Sequence, residues 1–220
     1  MRRRVVKIAV LCALCVIGAA LNCFFNISIK QVVGIPLFLD TVMTMTLTFY
    51  GGAFWGLVTG ILSNVIISSL WFYGWAYYLF ALCNLAVALV TARFVRRFPR
   101  ELSILPPAGN AVKTRRMEDV MERGVVLILL AMALCIVISV MGGLIALVVQ
   151  IFHPGLPGVI DPELPFRAAL IRRNFPSFAV EIGARILINI PDRLISAFAG
   201  YGIALLFGWV VRGFLRLKRG

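Results

Sequence analysis

The stretch that decides the fold is residues 35–64, IPLFLDTVMTMTLTFYGGAFWGLVTGILSN. It contains one acid, Asp40, at the start of a long run without charged residues. Gly52, Gly56 and Gly60 recur at every fourth position, so on a helix they would share one face and let another backbone approach closely. A carboxylate beside lipid is costly and therefore indicates a specific role. The stretch predicts closely packed membrane helices with a polar feature at one end.

The composition places the whole chain in the membrane class. Of 220 residues, 61% are hydrophobic, and the mean hydropathy is +0.98. Because a membrane helix needs about 20 apolar residues, the apolar runs predict an all-α integral membrane protein. We expect one membrane domain, residues 1–220, with six transmembrane helices and a basic loop at 95–123. The predicted helices lie at about 5–25, 36–50, 53–70, 76–94, 124–152 and 177–212.

The net charge of +13 is explained by topology rather than by nucleic-acid binding. Basic residues cluster before the first span, in the central loop and after the last span, and not on a periodic face. Positively charged segments remain in the cytoplasm. We therefore expect both termini and the loop 95–123 to be cytoplasmic, with the lipid bilayer and not nucleic acid as the surrounding partner.

The sequence contains no recognisable catalytic or metal motif. Cys12 and Cys15 form a C-x-x-C pair, but all five cysteines lie in apolar runs and are expected to pack as small hydrophobic residues. His153 has no second ligand at local spacing. No nucleophile with a nearby base and no phosphate-binding lysine loop is present in the sequence. We expect a protein that is not an enzyme and holds no metal or cofactor.

The last predicted helix carries a polar stripe. Glu181, Arg185, Asn189 and Asp192 follow i, i+4, i+8, i+11 spacing and share one helical face, on which Glu181 and Arg185 can pair. Arg193 adjoins Asp192, and neighbouring side chains are expected to point in different directions. Charged residues in such a position usually face the bundle interior. The alternative is an interfacial segment outside the membrane.

Aromatic residues and one amide complete the candidate site. Trp71, Trp75 and Tyr78 form an aromatic cluster, which is either a belt at headgroup level or a stacking wall for a planar ligand. Asn84 follows on the fourth span, where an amide needs a partner. Asp40 either joins the site or neutralises Arg185 or Arg193 across the bundle.

Three segments together resemble a known family. They are IPLFLDTVMTMTLTFYGGAFWGLVTGILSNVI, FALCNLAVALV and EIGARILINIPDRLISAFAGYGIALL. The chain from residue 5 to 211 resembles the S component, the substrate-binding membrane subunit, of energy-coupling factor (ECF) vitamin transporters. The long basic central loop departs from the family pattern, and the loop between the last two spans is also long and rich in proline.

The resemblance implies a six-helix fold in a bacterial or archaeal cytoplasmic membrane, with a substrate site near the extracellular face. It implies a transmembrane coupling subunit and two cytoplasmic ATPases as partners, with ATP hydrolysis in those partners. In the family, an Ala-x-x-x-Ala face on the first helix contacts the coupling subunit. Ala9 and Ala13 match this face, although from the residues alone such a pair more often serves internal packing.

The leading hypothesis is a subunit that captures a vitamin or a related small organic molecule at the outer face. Its substrate-binding candidates are Trp71, Trp75, Tyr78, Asn84, Glu181, Arg185, Asn189 and Asp192. Asp40 and Arg193 are expected either to act as structural counter-charges or to belong to a secondary site. The alternative hypothesis is a stand-alone membrane ligand sensor or a partner-binding assembly factor.

Overall fold

The computed structural model describes residues 2–29, 37–70, 75–104, 117–152 and 164–217. Every regular element within these ranges is helical, which confirms the predicted all-helical class. The elements are α1 (Arg2–Ser28), α2 (Val42–Gly51), α3 (Ala53–Leu70), a 3-10 helix (Trp75–Phe80), α4 (Ala81–Arg97), α5 (Pro99–Leu102), α6 (Met117–Phe152), α7 (Leu164–Arg172) and α8 (Ser177–Leu217).

Five helical segments are long and apolar enough to cross a membrane, which indicates a multi-pass membrane protein. One of them joins the 3-10 helix to α4 without a break. The bounds of α3 agree with the predicted span 53–70, whereas α1, α6 and α8 extend beyond their predicted ends. The five segments are Ile8–Ser28, Ala53–Leu70, Trp75–Arg97, Glu118–Phe152 and Ser177–Val211.

The predicted second span, 36–50, is the largest difference between sequence and structure. Residues 37–41 are not helical, and α2 begins only at Val42. With 10 residues, α2 is about 15 Å long, half of the ~30 Å hydrocarbon core. All side chains from Val42 to Phe49 are buried. The prediction of a helix from residue 36 is therefore wrong, and α2 is a short helix enclosed by the bundle.

The predicted loop 95–123 is partly helical. Helix α4 continues to Arg97, α5 follows, and α6 begins at Met117; residues 105–116 lie outside the described residues. Arg96 and Arg97 occupy the last turn of α4, and Glu118 and Asp119 occupy the first turn of α6. Each charge has the sign that stabilises its helix end. The charged and proline-containing segment that predicted a loop therefore includes two helix ends, which its charges stabilise.

Helix α2 packs against α1, α3, α4 and α8. Small residues permit this close packing. A Cβ atom on Gly18 of α1 would lie 3.3 Å from Met43 Cβ, and one on Gly200 of α8 would lie 3.0 Å from the Val42 carbonyl oxygen. The Gly200 region of α8 thus acts as a small packing face. The centre of the bundle is this short helix and the glycines that surround it.

The predicted glycine face of α3 divides into two roles. A Cβ atom on Gly56 would overlap Thr48 Oγ1, and one on Gly60 would lie 2.9 Å from Asn84 Cβ. These two glycines therefore allow α2 and α4 to pack closely against α3. Gly52 lies outside α3 and has φ 94°, which favours glycine. It forms the turn after α2, where its N–H donates to the Thr48 carbonyl oxygen at 3.0 Å.

Helices α6 and α8 lie in close contact. A Cβ atom on Gly143 would lie 2.8 Å from Ile182 Cγ1 and 3.3 Å from Ile182 Cα. The Gly142–Gly143 pair therefore lies where α8 packs closely against α6. Helix α7, which the proline-rich sequence did not predict, packs on α8.

Candidate functional site

The non-helical segment before α2, residues 37–41, is held by side chains rather than by helical hydrogen bonds. Asn26 Nδ2 donates to the Phe38 carbonyl oxygen at 3.0 Å, and the Leu39 N–H donates to Asp192 Oδ1 at 2.8 Å. Leu39 has φ 44°, a left-handed conformation that is uncommon outside glycine. Backbone groups without helical partners must be satisfied in this way inside a membrane protein. The side chains of Asn26 and Asp192 therefore fix the conformation of this non-helical segment.

Arg193 forms the centre of an ion triad with Asp40 and Asp192. Its Nη2 lies 2.5 Å from Asp192 Oδ2 and 3.6 Å from Asp40 Oδ1, and its Nη1 donates to Thr41 Oγ1 at 2.6 Å. Asp192 and Arg193 are buried. Of the two roles left open for Asp40, the structure shows an ion pair with Arg193. The guanidinium and its partners thus join α8 to the start of α2.

The expectation that Asp192 and Arg193 point apart is wrong. Adjacent residues do leave a helix in different directions, but the long arginine side chain can turn back to reach its neighbour. Both groups are buried, and a buried charge must find a partner of opposite sign. The same carboxylate therefore binds the guanidinium through Oδ2 and the Leu39 N–H through Oδ1.

The ion triad lies well inside the bundle. Tyr201, two helical turns further along α8, marks one end, because its hydroxyl donates to the Glu101 carbonyl oxygen of α5 and its ring lies beneath Arg123. Arg193 lies eight residues before Tyr201, a rise of about 12 Å. We call this end of the bundle the α5 end and the opposite one the α7 end. Asp192 and Arg193 are therefore enclosed by protein, as expected for charges that face the bundle interior.

A neutral network lies beside the triad. Asn22 Nδ2 donates to Thr44 Oγ1 at 3.2 Å and to Ser63 Oγ at 2.9 Å, while the Met43 N–H donates to Asn22 Oδ1 at 2.9 Å. One buried amide therefore joins α1, α2 and α3. The Met43 N–H is in the first turn of α2, where backbone donors have no partner within the helix.

The α7 end contains a second charged group. Glu181 is buried and accepts hydrogen bonds from Arg167 of α7 and, at 2.9 Å, from Gln150 Nε2 of α6. One turn further along α8, the Arg185 guanidinium lies 5.4 Å from the centre of the Phe80 ring, within cation–π range. The carboxylate thus joins α6, α7 and α8.

Asn189 and Asn84 both lie inside the bundle, but their surroundings differ. Asn189 Nδ2 donates to Ser139 Oγ at 2.9 Å and so joins α8 to α6. Asn84 is 2% exposed, and its Oδ1 accepts no hydrogen bond from any described residue. Asn84 lies at the contact between α3 and α4, where Gly60 approaches its Cβ atom.

The two aromatic candidates that the structure describes, Trp75 and Tyr78, do not join this buried group. Trp75 is exposed and its ring contacts Phe152, with the ring centres 5.0 Å apart. Tyr78 is also exposed, and its hydroxyl shares a 3.0 Å hydrogen bond with Ser69. Trp71 lies outside the described residues. The exposure of Trp75 and Tyr78 favours the aromatic belt over the stacking wall, and Phe80 is the aromatic side chain that contacts a candidate charge.

The two alanines of the first helix face outward. Ala9 and Ala13 are both exposed, and Ile8, Val16 and Ile17 are exposed on the same helix. These alanines thus do not serve internal packing within the described chain. This apolar face is available to lipid or to another membrane protein.

Comparisons of the chain with protein-family models, curated proteins and solved structures found no match. Within the described residues, no group of three or more His, Cys, Asp or Glu side chains could hold a metal ion. The structure adds site residues that the sequence analysis did not select. Most are single polar residues within apolar runs, a signal that was present in the sequence: Asn22, Asn64, Ser139 and Gln150, with Phe80 and Arg167 as further contacts.

Proposed function

We propose that the chain is the substrate-binding subunit of an ECF-type importer, which captures a vitamin-like small organic molecule at the outer face. The α7 end faces outward and the α5 end faces the cytoplasm, with both termini on the cytoplasmic side. The chain crosses the membrane six times if α2 and the segment before it together form one crossing. The protein itself does not hydrolyse ATP, and its coupling partners supply that energy.

The observation that carries the proposal is the buried row of polar groups along α8. Its members are the buried residues Glu181, Asn189, Asp192 and Arg193 and the half-buried Arg185. They meet side chains from the segment before α2, the 3-10 helix, α6 and α7, while the outer surface of the same bundle is apolar. Charged groups are expensive inside a membrane protein and usually mark a pathway or a binding site for a polar solute. The arrangement lacks a catalytic set and suits reversible binding.

Arg185→Ala is expected to lower ligand capture by the purified protein about 10- to 150-fold, since a charged hydrogen bond contributes roughly 1.5–3 kcal/mol and its truncation also removes the Phe80 contact. Arg172→Ala is the matched control, because Arg172 is exposed at the end of α7. The measurement is the amount of small molecule that copurifies with each variant. Equal amounts for Arg185→Ala and Arg172→Ala would remove Arg185 from the site.

Replacement of Ala9 and Ala13 by phenylalanine is expected to abolish assembly with a coupling subunit and its ATPases without changing ligand capture. The reason is that small residues allow close helix approach, which two large rings prevent. Val65→Phe, at an exposed position of α3, is the control. Copurification in mild detergent measures assembly. Recovery of regulatory proteins alone, without a coupling subunit, would instead support a stand-alone sensor.

A further inference from the structure

Two buried amides on facing helices have oxygen atoms without a donor. Asn64 on α3 is 7% exposed and Asn84 on α4 is 2% exposed, and neither Oδ1 accepts a hydrogen bond from the residues that the structure describes. Asn22 is the contrasting case, since it is equally buried and its amide makes three hydrogen bonds. A buried acceptor without a donor destabilises the fold. These two amides therefore indicate a role other than stability, such as binding.

The two amides border the same interior region. Gly60 of α3 lies against Asn84, and Asn64 is one helical turn beyond Gly60 on the same face of α3. Helices α3 and α4 pack against each other, and Phe80 lies one turn before Asn84. Because the Arg185 guanidinium lies over the Phe80 ring, Arg185 is the member of the charged row that the structure links to this region.

Two further acceptors lie along the same row. Glu181 is 3% exposed, and its Oε2 accepts no hydrogen bond from a described residue; the same is true of Asp40 Oδ1, which has only the ion pair with Arg193 at 3.6 Å. Four oxygen atoms, on α3, α4, α8 and the segment before α2, therefore lack a donor among the described residues. An occupant that satisfies them must supply N–H or O–H groups.

Among the residues that the structure describes, the charges of the site are balanced. Its described members include three carboxylates, Asp40, Glu181 and Asp192, and three guanidinium groups, Arg167, Arg185 and Arg193. An anionic or cationic occupant would leave one charge without a partner inside the membrane, which is costly. A neutral occupant leaves the balance unchanged.

We infer that the bound molecule is neutral and rich in N–H donors, with Asn64 and Asn84 as its principal acceptors. The inference rests on the proposed function, which it makes more specific by naming the class of substrate. Amino- or lactam-bearing nitrogen heterocycles belong to this class, whereas carboxylic acids and aprotic molecules do not.

The first test uses the opposite effects of the two amides, which we expect to lower the stability of the protein and to increase ligand binding. Asn84→Leu and Asn64→Leu each remove a buried acceptor, so each variant is expected to melt about 2–4 °C higher than the parent protein. The same variants should retain at least about tenfold less copurified small molecule. Asn22→Leu, the matched control, should melt lower because its amide is fully used. A lower melting temperature for both Asn84→Leu and Asn64→Leu would show purely structural roles and overturn the inference.

A matched set of compounds gives the second test. Uracil is neutral and has two N–H donors, 1,3-dimethyluracil has the same ring without donors, and orotate adds a carboxylate. Native mass spectrometry of the full chain in mild detergent would identify retained compounds and compare these three probes. We expect a neutral N–H donor among the copurified compounds, or a uracil adduct without adducts of the other two. A retained anion or aprotic molecule, or no adduct of any kind, would overturn the inference.

Failure of the inference and failure of the proposed function give different results. If the chain assembles with a coupling subunit and ATPases but retains an anion, the importer proposal stands and the substrate class is wrong. If it retains a neutral donor-rich molecule, in amounts that Asn84→Leu lowers, but never assembles with such partners, the binding site stands and the importer proposal is wrong.

Discussion

Arg193→Met is expected to destabilise the folded protein by about 3–5 kcal/mol, the cost of removing one partner from a buried ion pair. The variant leaves the carboxylates of Asp40 and Asp192 without their cation, and it removes the donor to Thr41. Asp192 also holds the Leu39 N–H, so the start of α2 should be disturbed together with α8. Chemical unfolding in detergent micelles measures the loss.

Two further variants show whether charge is the cause. Arg97→Met removes an exposed arginine at the end of α4 and should change stability by less than about 0.5 kcal/mol. The combined variant Arg193→Met, Asp40→Asn and Asp192→Asn should recover most of the lost stability, because no unpaired charge then remains. If Arg193→Met unfolds no more easily than Arg97→Met, the triad is not a structural element.

The membrane class and the approximate position of the helices could be predicted from the sequence, since they depend on apolar run length. The span 53–70 was predicted correctly for this reason. The start of the second span was not, because residues 35–39 are apolar whether the chain is helical there or not. The signal that breaks the helix comes from Asn26 and Asp192, which bind the backbone at Phe38 and Leu39. Such long-range partners cannot be recognised from local pattern.

The polar stripe of α8 could be predicted from residue spacing, and its interior position follows from the cost of charge in a membrane. Its partners could not. Helical periodicity indicated that Glu181 pairs within its own helix, but the structure shows contacts with Arg167 of α7 and Gln150 of α6. A periodic pattern shows which face a residue occupies, while the choice of partner depends on how neighbouring helices are arranged.

The buried groups divide into those that hold the fold and those that remain for an occupant. Asn22, Asn189 and Arg193 connect helices through satisfied hydrogen bonds or ion pairs. Asn64 and Asn84 have acceptors that no described residue satisfies. Because both kinds of group lie in the same bundle, substitutions at the first kind should lower stability and substitutions at the second kind should lower binding.

Gly56→Ala is expected to destabilise the protein by about 1–3 kcal/mol, the usual cost of an overpacked core. The added methyl group would overlap Thr48 Oγ1 and lie 3.0 Å from the Thr44 carbonyl oxygen, so it meets α2 where the backbone cannot easily move. The Thr48 hydroxyl could rotate away only by giving up its 2.8 Å hydrogen bond to that carbonyl oxygen. Since α2 is enclosed by four helices, the displacement would extend beyond α3.

The sign of the effect should reverse at a glycine without neighbours. A Cβ atom on Gly124 of α6 would meet nothing within 4 Å, so Gly124→Ala should stabilise the protein by about 0.5–1 kcal/mol through helix propensity alone. Unfolding of the two variants in the same detergent separates packing from propensity. Equal effects at Gly56 and Gly124 would mean that α3 can move away from α2 without cost. Opposite signs would show that a glycine at this helix contact fixes the position of α2, and with it the placement of Asp40 against Arg193.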